Sequence, residues 1–229
     1  IASSRLAQLL RYLDVRLEDR VLIRLPNSLA YPTAFFGAMK RGAIAVPTST
    51  LLTAEEVLYL VKDSGATVLV TDKAMWAGLR DKLTGVDSLK FVLLAGADIP
   101  PFEEGGAGGI STTSAHEAPS NPPLPPFTKG GRSGPTVLDL DAELAKIDSY
   151  SQPHKSRAQD PAYLVYTSGT TGYPKGVLHA HRAMIGRRPA AEYWFDFAQE
   201  GDRILHSGKF NWTYVLGSGL MDPLYRGKT

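Results

Sequence analysis

Between Ser3 and Ala95 the chain alternates four times between a helical pattern and a short apolar run, with few residues between them. Leu6, Leu9, Leu10 and Leu13 recur at the spacing of one helix face, so residues 3–14 are expected to form a helix. Residues 28–41, 53–65 and 73–83 read in the same way, and the runs 21–25, 43–47, 67–72 and 89–95 read as strands. Such alternation predicts an α/β fold, with doubly wound, mostly parallel sheets and flanking helices. It leaves the order of the strands open.

The boundaries carry their own chemistry. Thr53-Ala54-Glu55-Glu56 has the spacing of a capping box. Lys40-Arg41-Gly42 puts cations in a last helical turn and glycine after it, which marks a helix end. Pro26-Asn27-Ser28 stops the first strand and is expected to cap the next helix. Pro32 then falls in that helix's first turns, where proline is tolerated.

The regular pattern breaks at residues 98–136, which hold eight of the 16 prolines and seven of the 22 glycines. With no apolar period, this stretch is expected to be an unstructured insertion. It divides the chain into a first α/β unit at 1–97 and a continuation at 137–229. In the second unit, Asp141 is expected to cap a helix running to Ile147, and Ser149–Asp160 is a polar linker. Ala162–Tyr166 reads as a buried strand, 181–195 as a helix interrupted near Pro189, Arg203–His206 as a strand, and Gly217–Tyr225 as helical as far as Pro223 allows.

Composition excludes several classes of function. Lys+Arg 25 against Asp+Glu 23 gives a net charge of +2, no basis for binding nucleic acid or an anionic membrane. There is no cysteine, hence no disulfide framework, thiolate metal site or thiol nucleophile. No apolar run approaches the roughly 18 residues of a membrane span. Ser3–Asp14 carries charges that a signal peptide would lack, so a soluble, cytoplasmic protein is expected.

The chemistry concentrates where the 162–166 strand ends. From Thr167 to Gly176 the chain places four Ser/Thr hydroxyls, three glycines, one proline and one lysine in ten residues. Glycines let backbone N–H groups turn inward and approach an anion closely. Hydroxyls add neutral donors and Lys175 adds a point charge. A hydrogen bond to a charged group contributes roughly 1.5–3 kcal/mol, so a few suffice to seat a triphosphate. The spacing is not that of the Walker A loop.

The string Tyr166-Thr167-Ser168-Gly169-Thr170-Thr171-Gly172-Tyr173-Pro174-Lys175-Gly176-Val177 resembles, without a gap, the signature loop of the adenylate-forming enzymes, and the Phe210–Tyr214 stretch looks closest to their acyl-CoA and aryl-CoA synthetase branch. Asp19–Asp72 is also similar to the early part of these enzymes. The resemblance implies the N-terminal part of an adenylation domain. The implied substrates are ATP with Mg²⁺, a small-molecule carboxylic acid and coenzyme A; the reaction is acyl-adenylate formation followed by thioester formation. It implies that Thr167, Ser168, Thr170, Thr171 and Lys175 hold the β- and γ-phosphate oxygens, with Thr167 and Lys175 acting on the reacting triphosphate. Gly169, Gly172 and Gly176 allow close backbone approach. No metal-ligating residue is assigned.

Phe210–Tyr214 falls where this family places aromatics beside the acyl group, so Trp212 and Tyr214 are candidate substrate contacts, with a core role as the other reading. His206 is a third candidate, either in the pocket or in the core, and Lys209 lies where benzoate-type ligases carry a basic residue. His179 and His181 are expected to cap or pack. The family's later Glu, Asp, Arg and Lys elements have no counterpart in residues 1–229, so the chain alone is expected to show no ATP–pyrophosphate exchange. The alternative is a non-catalytic nucleotide-binding remnant or assembly module; a phosphotransferase would need an Asp or Arg constellation that the sequence does not offer.

Overall fold

A computed structural model describes residues 1–96, 134–150, 152–168, 172–196 and 201–228. Residues 98–133 of the expected insertion therefore lie outside the described residues. The elements run α1 (Ala2–Tyr12), β1 (Arg20–Arg24), α2 (Ala30–Arg41), β2 (Ile44–Pro47), α3 (Ala54–Ser64), β3 (Val68–Asp72), α4 (Lys73–Ala77), α5 (Arg80–Leu83) and β4 (Phe91–Ala95). After the undescribed stretch come β5 (Thr136–Asp139), α6 (Leu140–Ala145), β6 (Pro161–Thr167), β7 (Lys175–Ala180), α7 (Arg182–Gly186) and α8 (Arg188–Tyr193). A final helical run joins α9 (Thr213–Val215), a π-helical segment (Leu216–Met221) and α10 (Asp222–Tyr225).

The strands form one sheet in the order β5-β4-β3-β1-β2-β6-β7. All neighbours are parallel except β6 and β7, which form an antiparallel hairpin. Strands β1 to β4 are buried along nearly their whole length because both of their sides are covered. Val21, Ile23, Val68 and Val70 point into one core with Leu6, Tyr31 and Phe35, beneath α1, α2 and α6. Leu22, Leu69 and Val92 point into the other with Val57, Leu60, Val61 and Leu83, beneath α3 and α5. Neighbouring β1 and β2 thus send their helices to opposite faces, which opens a crevice at the C-terminal ends of the strands.

The capping box at Thr53 forms in full: Thr53 Oγ1 accepts from the Glu56 amide, and the Glu56 carboxylate accepts from the Thr53 amide at 2.7 Å. Gly42 ends α2 at φ 81°, a left-handed conformation that favours glycine. Pro189 sits in the first turn of α8, where its missing N–H breaks no bond.

Several expectations are corrected. Arg203–His206 forms no strand: no described strand pairs with it, and Leu205 is 98% exposed. Residues 73–83 are two short helices rather than one. Asp139, not Asp141, caps α6 by accepting from the Ala142 amide at 3.0 Å, while Asp141 accepts from the Gly96 amide at 3.2 Å. Neither Asn27 nor Ser28 caps α2, which starts without a side-chain cap. Among the described residues no helix is long and apolar enough to cross a membrane.

Gly37 lets α1 and α2 pack closely. A Cβ there would lie 2.7–2.9 Å from the Leu6 side chain, which is fully buried. Gly37→Ala is therefore expected to destabilise the chain by about 1–3 kcal/mol through overpacking. Urea unfolding measures this, and an unchanged midpoint would refute it.

Candidate functional site

The glycine- and hydroxyl-rich turn leaves β6, an interior strand of the sheet, at its C-terminal end. The antiparallel register puts Thr167 directly opposite Lys175 and Tyr166 opposite Gly176. Directly opposed residues share a face with their Cβ atoms about 4.5–5.5 Å apart, so the hydroxyl and the ammonium flank the same side of the turn. Thr167, Ser168, Gly172 and Lys175 are exposed. Gly169, Thr170 and Thr171 lie outside the described residues. Gly172 adopts φ 127°, a backbone conformation that a side chain would strain.

Ser168, Tyr173 and Pro174 line a cleft of about 630 Å³ together with Pro47 and Ser49 after β2, Tyr59 on α3, and Asn211. Ser168, Tyr173 and Pro174 therefore face an open crevice rather than the interior. Arg24, at the end of β1, braces the segment that carries Leu52 into the cleft's lining. It is 7% exposed, and its Nη2 donates to the carbonyls of Thr50 (3.0 Å) and Leu52 (2.9 Å), fixing the segment between β2 and α3. Burial lowers its pKa, and Asp72 opposes that shift.

Helix α3 reaches the end of β6 and the residues that lead into β7. The Tyr166 hydroxyl donates to Asp63 at 2.6 Å. The Tyr59 hydroxyl donates to the Pro174 carbonyl at 3.2 Å, and its ring stacks on that of Tyr173 with centroids 4.8 Å apart. Burial and then the bond to Asp63 push the Tyr166 phenol well above its usual pKa.

The 206–221 segment is tied to the sheet by Asn27, whose Nδ2 donates to the Gly208 carbonyl at 2.8 Å and whose Oδ1 accepts from the Phe210 amide at 3.0 Å. The residue expected to start a helix is instead a long-range clamp. Phe210 packs against Tyr31 at 5.4 Å. His206 is half-buried; its Nδ1 accepts from the Gly208 amide and its Nε2 lies 3.2 Å from Ser218 Oγ, which donates to the Tyr214 carbonyl at 2.8 Å. His206 and Tyr214 meet edge-on at 5.8 Å. Trp212 and Tyr214 are 63% and 55% exposed, and neither lines the cleft. The structure thus joins His206 to Tyr214 and, through Asn211, brings the segment to the turn.

Behind this segment Arg187 and Asp222 form a bidentate pair, Nε to Oδ1 at 2.9 Å and Nη2 to Oδ2 at 2.8 Å. Sequence reasoning missed this pair, along with Arg24, Tyr59 and Asp63. Tyr59 and Asp63 do share one helix face, but such a polar stripe reads equally as a solvated surface.

His179 stacks on Tyr163 with centroids 4.5 Å apart, and His181 precedes α7 with no side-chain capping bond. Burial lowers both pKa values below 6.5; Asp160 opposes the shift at His181 and His154 adds to it. The unfolded chain therefore binds more protons than the folded one just below pH 6.5. The stability these rings contribute is present above that value and is lost as pH falls through it. Asp139 acts lower, since its carboxyl is held below 3.8 chiefly by the Ala142 amide. Urea midpoints measured between about pH 7.5 and 5 should fall, and fall less in the His179→Phe, His181→Gln double variant. An equal slope in both proteins would exclude this origin.

Chemically, the turn offers hydroxyls, a glycine-rich backbone and an ammonium with no ion-pair partner among the described residues. That donor set suits a polyphosphate. No group of three or more His, Asp or Glu that could hold a metal ion occurs among the described residues.

Comparison with known proteins gives a consistent picture. The family profile described as AMP-binding enzyme matches residues 2–229. The chain is 28% identical to a benzoate–CoA ligase of Thauera aromatica over 95% of its length and 34% of the relative's. It is 30% identical to a 3-hydroxybenzoate–CoA/4-hydroxybenzoate–CoA ligase of the same organism, over 100% of its own length and 37% of the relative's. A long-chain-fatty-acid–CoA ligase of Mycobacterium tuberculosis is 29% identical over 84% of the chain and 30% of the relative. Among solved structures, an anthranilate CoA ligase in complex with anthranoyl-AMP matches with TM-score 0.72 at 25% identity, over 100% of this chain and 38% of that one. The chain spans about a third of the length of the curated relatives it matches.

Proposed function

The chain belongs to the AMP-binding enzyme family, and from that premise we propose that its 166–176 turn holds the triphosphate of ATP while a carboxylic acid is activated as its adenylate. The observation that carries this is the exposed Thr167–Lys175 pair flanking a glycine-rich stretch whose Ser168, Tyr173 and Pro174 line an open cleft.

In the proposed reaction a carboxylate oxygen attacks the α-phosphorus. The new O–P bond forms as the bond to the bridging oxygen of pyrophosphate breaks, and negative charge builds on the departing group. No protein nucleophile is needed; charge neutralisation is. Lys175 supplies a cation, and Thr167 and Ser168 supply hydroxyl donors, joined by Thr170 and Thr171. Mg²⁺ arriving with the triphosphate would neutralise further charge. In the second half-reaction the thiol of coenzyme A attacks the adenylate carbonyl, AMP leaves, and a thioester forms.

The proposed acid is small and aromatic. Its support is the exposed Trp212 and Tyr214, the nearby Lys209, whose Nζ lies 3.5 Å from Thr50 Oγ1, and the benzoate-type ligases among the relatives. His206 positions this segment through Ser218 and Gly208.

Calorimetric titration of the chain with Mg-ATP tests the reading. Saturable binding, displaced by pyrophosphate and weakened by Lys175→Ala, is the expected result; heats indistinguishable between the two proteins would defeat it.

A further inference from the structure

Two residues of α3, Tyr59 and Asp63, stand one helical turn apart and so project from the same face. Asp63 meets the end of β6, and Tyr59 meets the residues just before β7. Asp63 accepts from the Tyr166 hydroxyl at 2.6 Å, just before the turn opens. Tyr59 holds the chain just before β7 twice, by its bond to the Pro174 carbonyl at 3.2 Å and by stacking on Tyr173 with an interplanar angle of 20°. The helix itself is anchored by its buried face, where Val57, Leu60 and Val61 pack into the core, and by the capping box at Thr53. A rigid element therefore holds the chain on both sides of residues 169–171.

We infer that Tyr59 and Asp63 are positioning residues: together they form a bracket that sets the separation of the two ends of the 166–176 turn. For the nucleotide, this deepens and rests on the phosphate-holding role proposed above. A turn built from glycines can open in many ways, and only some place its amides and the Thr167–Lys175 pair around one anion. The bracket limits that choice before any ligand arrives. It acts from the face opposite Thr167 and Lys175, because strand alternation puts Tyr166 on the α3 side and Thr167 on the other. It can thus set the geometry without touching the phosphates.

The test is amide exchange of the free chain, read at Thr167 and at Lys175–Gly176, which close the turn. Asp63→Ala and Tyr59→Ala are each expected to speed exchange there about fivefold or more, while Asp63→Asn and Tyr59→Phe change it less than about twofold, since one keeps an acceptor and the other keeps the stack. Should an alanine variant fail to fold, Tyr166→Phe removes the same hydrogen bond with its ring in place and is expected to match Asp63→Ala. Combining it with Asp63→Asn should add almost nothing. Exchange unchanged in the alanine variants and in Tyr166→Phe, or speeded equally by the conservative ones, overturns the bracket. Mg-ATP titration of the same proteins separates the two ideas. A Kd raised about fivefold by Asp63→Ala, and far less by Asp63→Asn, supports both. Exchange that responds as expected in a chain that does not bind Mg-ATP supports the bracket and overturns the phosphate-holding role.

Discussion

Lys175→Ala is expected to raise the Kd for Mg-ATP by about ten- to a hundredfold, the equivalent of a charge-assisted hydrogen bond of roughly 1.5–3 kcal/mol. Lys175 lies opposite Thr167 at the mouth of the turn, exposed, with no ion-pair partner among the described residues. Its removal should therefore leave stability within about 0.5 kcal/mol of the parent. An ammonium that does nothing for the fold but stands beside a glycine-rich turn has an anion as its natural partner. Lys175→Arg is the informative companion, because a planar guanidinium cannot replace a compact point charge at a fitted site and should recover only part of the affinity. Equal affinity of parent and alanine variant, measured with circular dichroism showing the same fold, would remove the ammonium from the site.

Breaking the Arg187–Asp222 pair has the largest expected effect on stability. The Asp222 side chain is 2% exposed and that of Arg187 30%. Truncating the arginine leaves a buried carboxylate without its two donors, which costs about 3 kcal/mol in comparable buried pairs. Arg187→Ala should shift the urea midpoint accordingly. Gly217→Ala should do much the same from the other side, since a Cβ there would fall 2.1 Å from the guanidinium carbon. The guanidinium lies against Gly217, so even a methyl group displaces it. Replacing both charges together, as in Arg187→Met with Asp222→Leu, should recover a good part of the loss, because no charge is then left unpaired. A loss in the double variant as large as in Arg187→Ala would show that the pair's charge is not what matters.

These two predictions differ in how much could be seen in advance. Lys175 was legible because the turn's chemistry is local: hydroxyls, glycines and a cation are contiguous, and the strand before them has its own apolar signature. The capping box at Thr53 and the glycine ending α2 were legible for the same reason. Arg187 and Asp222 are 35 residues apart and individually unremarked, one in a helix called by its periodicity and the other beside a proline. Asn27 shows the same limit from another side. Locally it is a plausible helix cap, but its amide joins a segment 181 residues away, and two long-range bonds displaced the local one. The Arg203–His206 run has strand-like residues and no strand to pair with; a strand exists only where a neighbour supplies its hydrogen bonds. β5, four residues long and partly exposed at the sheet's edge, had too little apolar pattern to be noticed.

The amino-acid order alone determined the alternating α/β character, most element boundaries, the phosphate-suited turn and the family resemblance, since each depends on residues within a few positions of one another. Only the tertiary structure decided the strand order, the hairpin that sets Thr167 against Lys175, and the hold of α3 on that turn. Those features arise from packing between segments distant in the chain, and neither periodicity nor propensity carries information about which distant surfaces will meet.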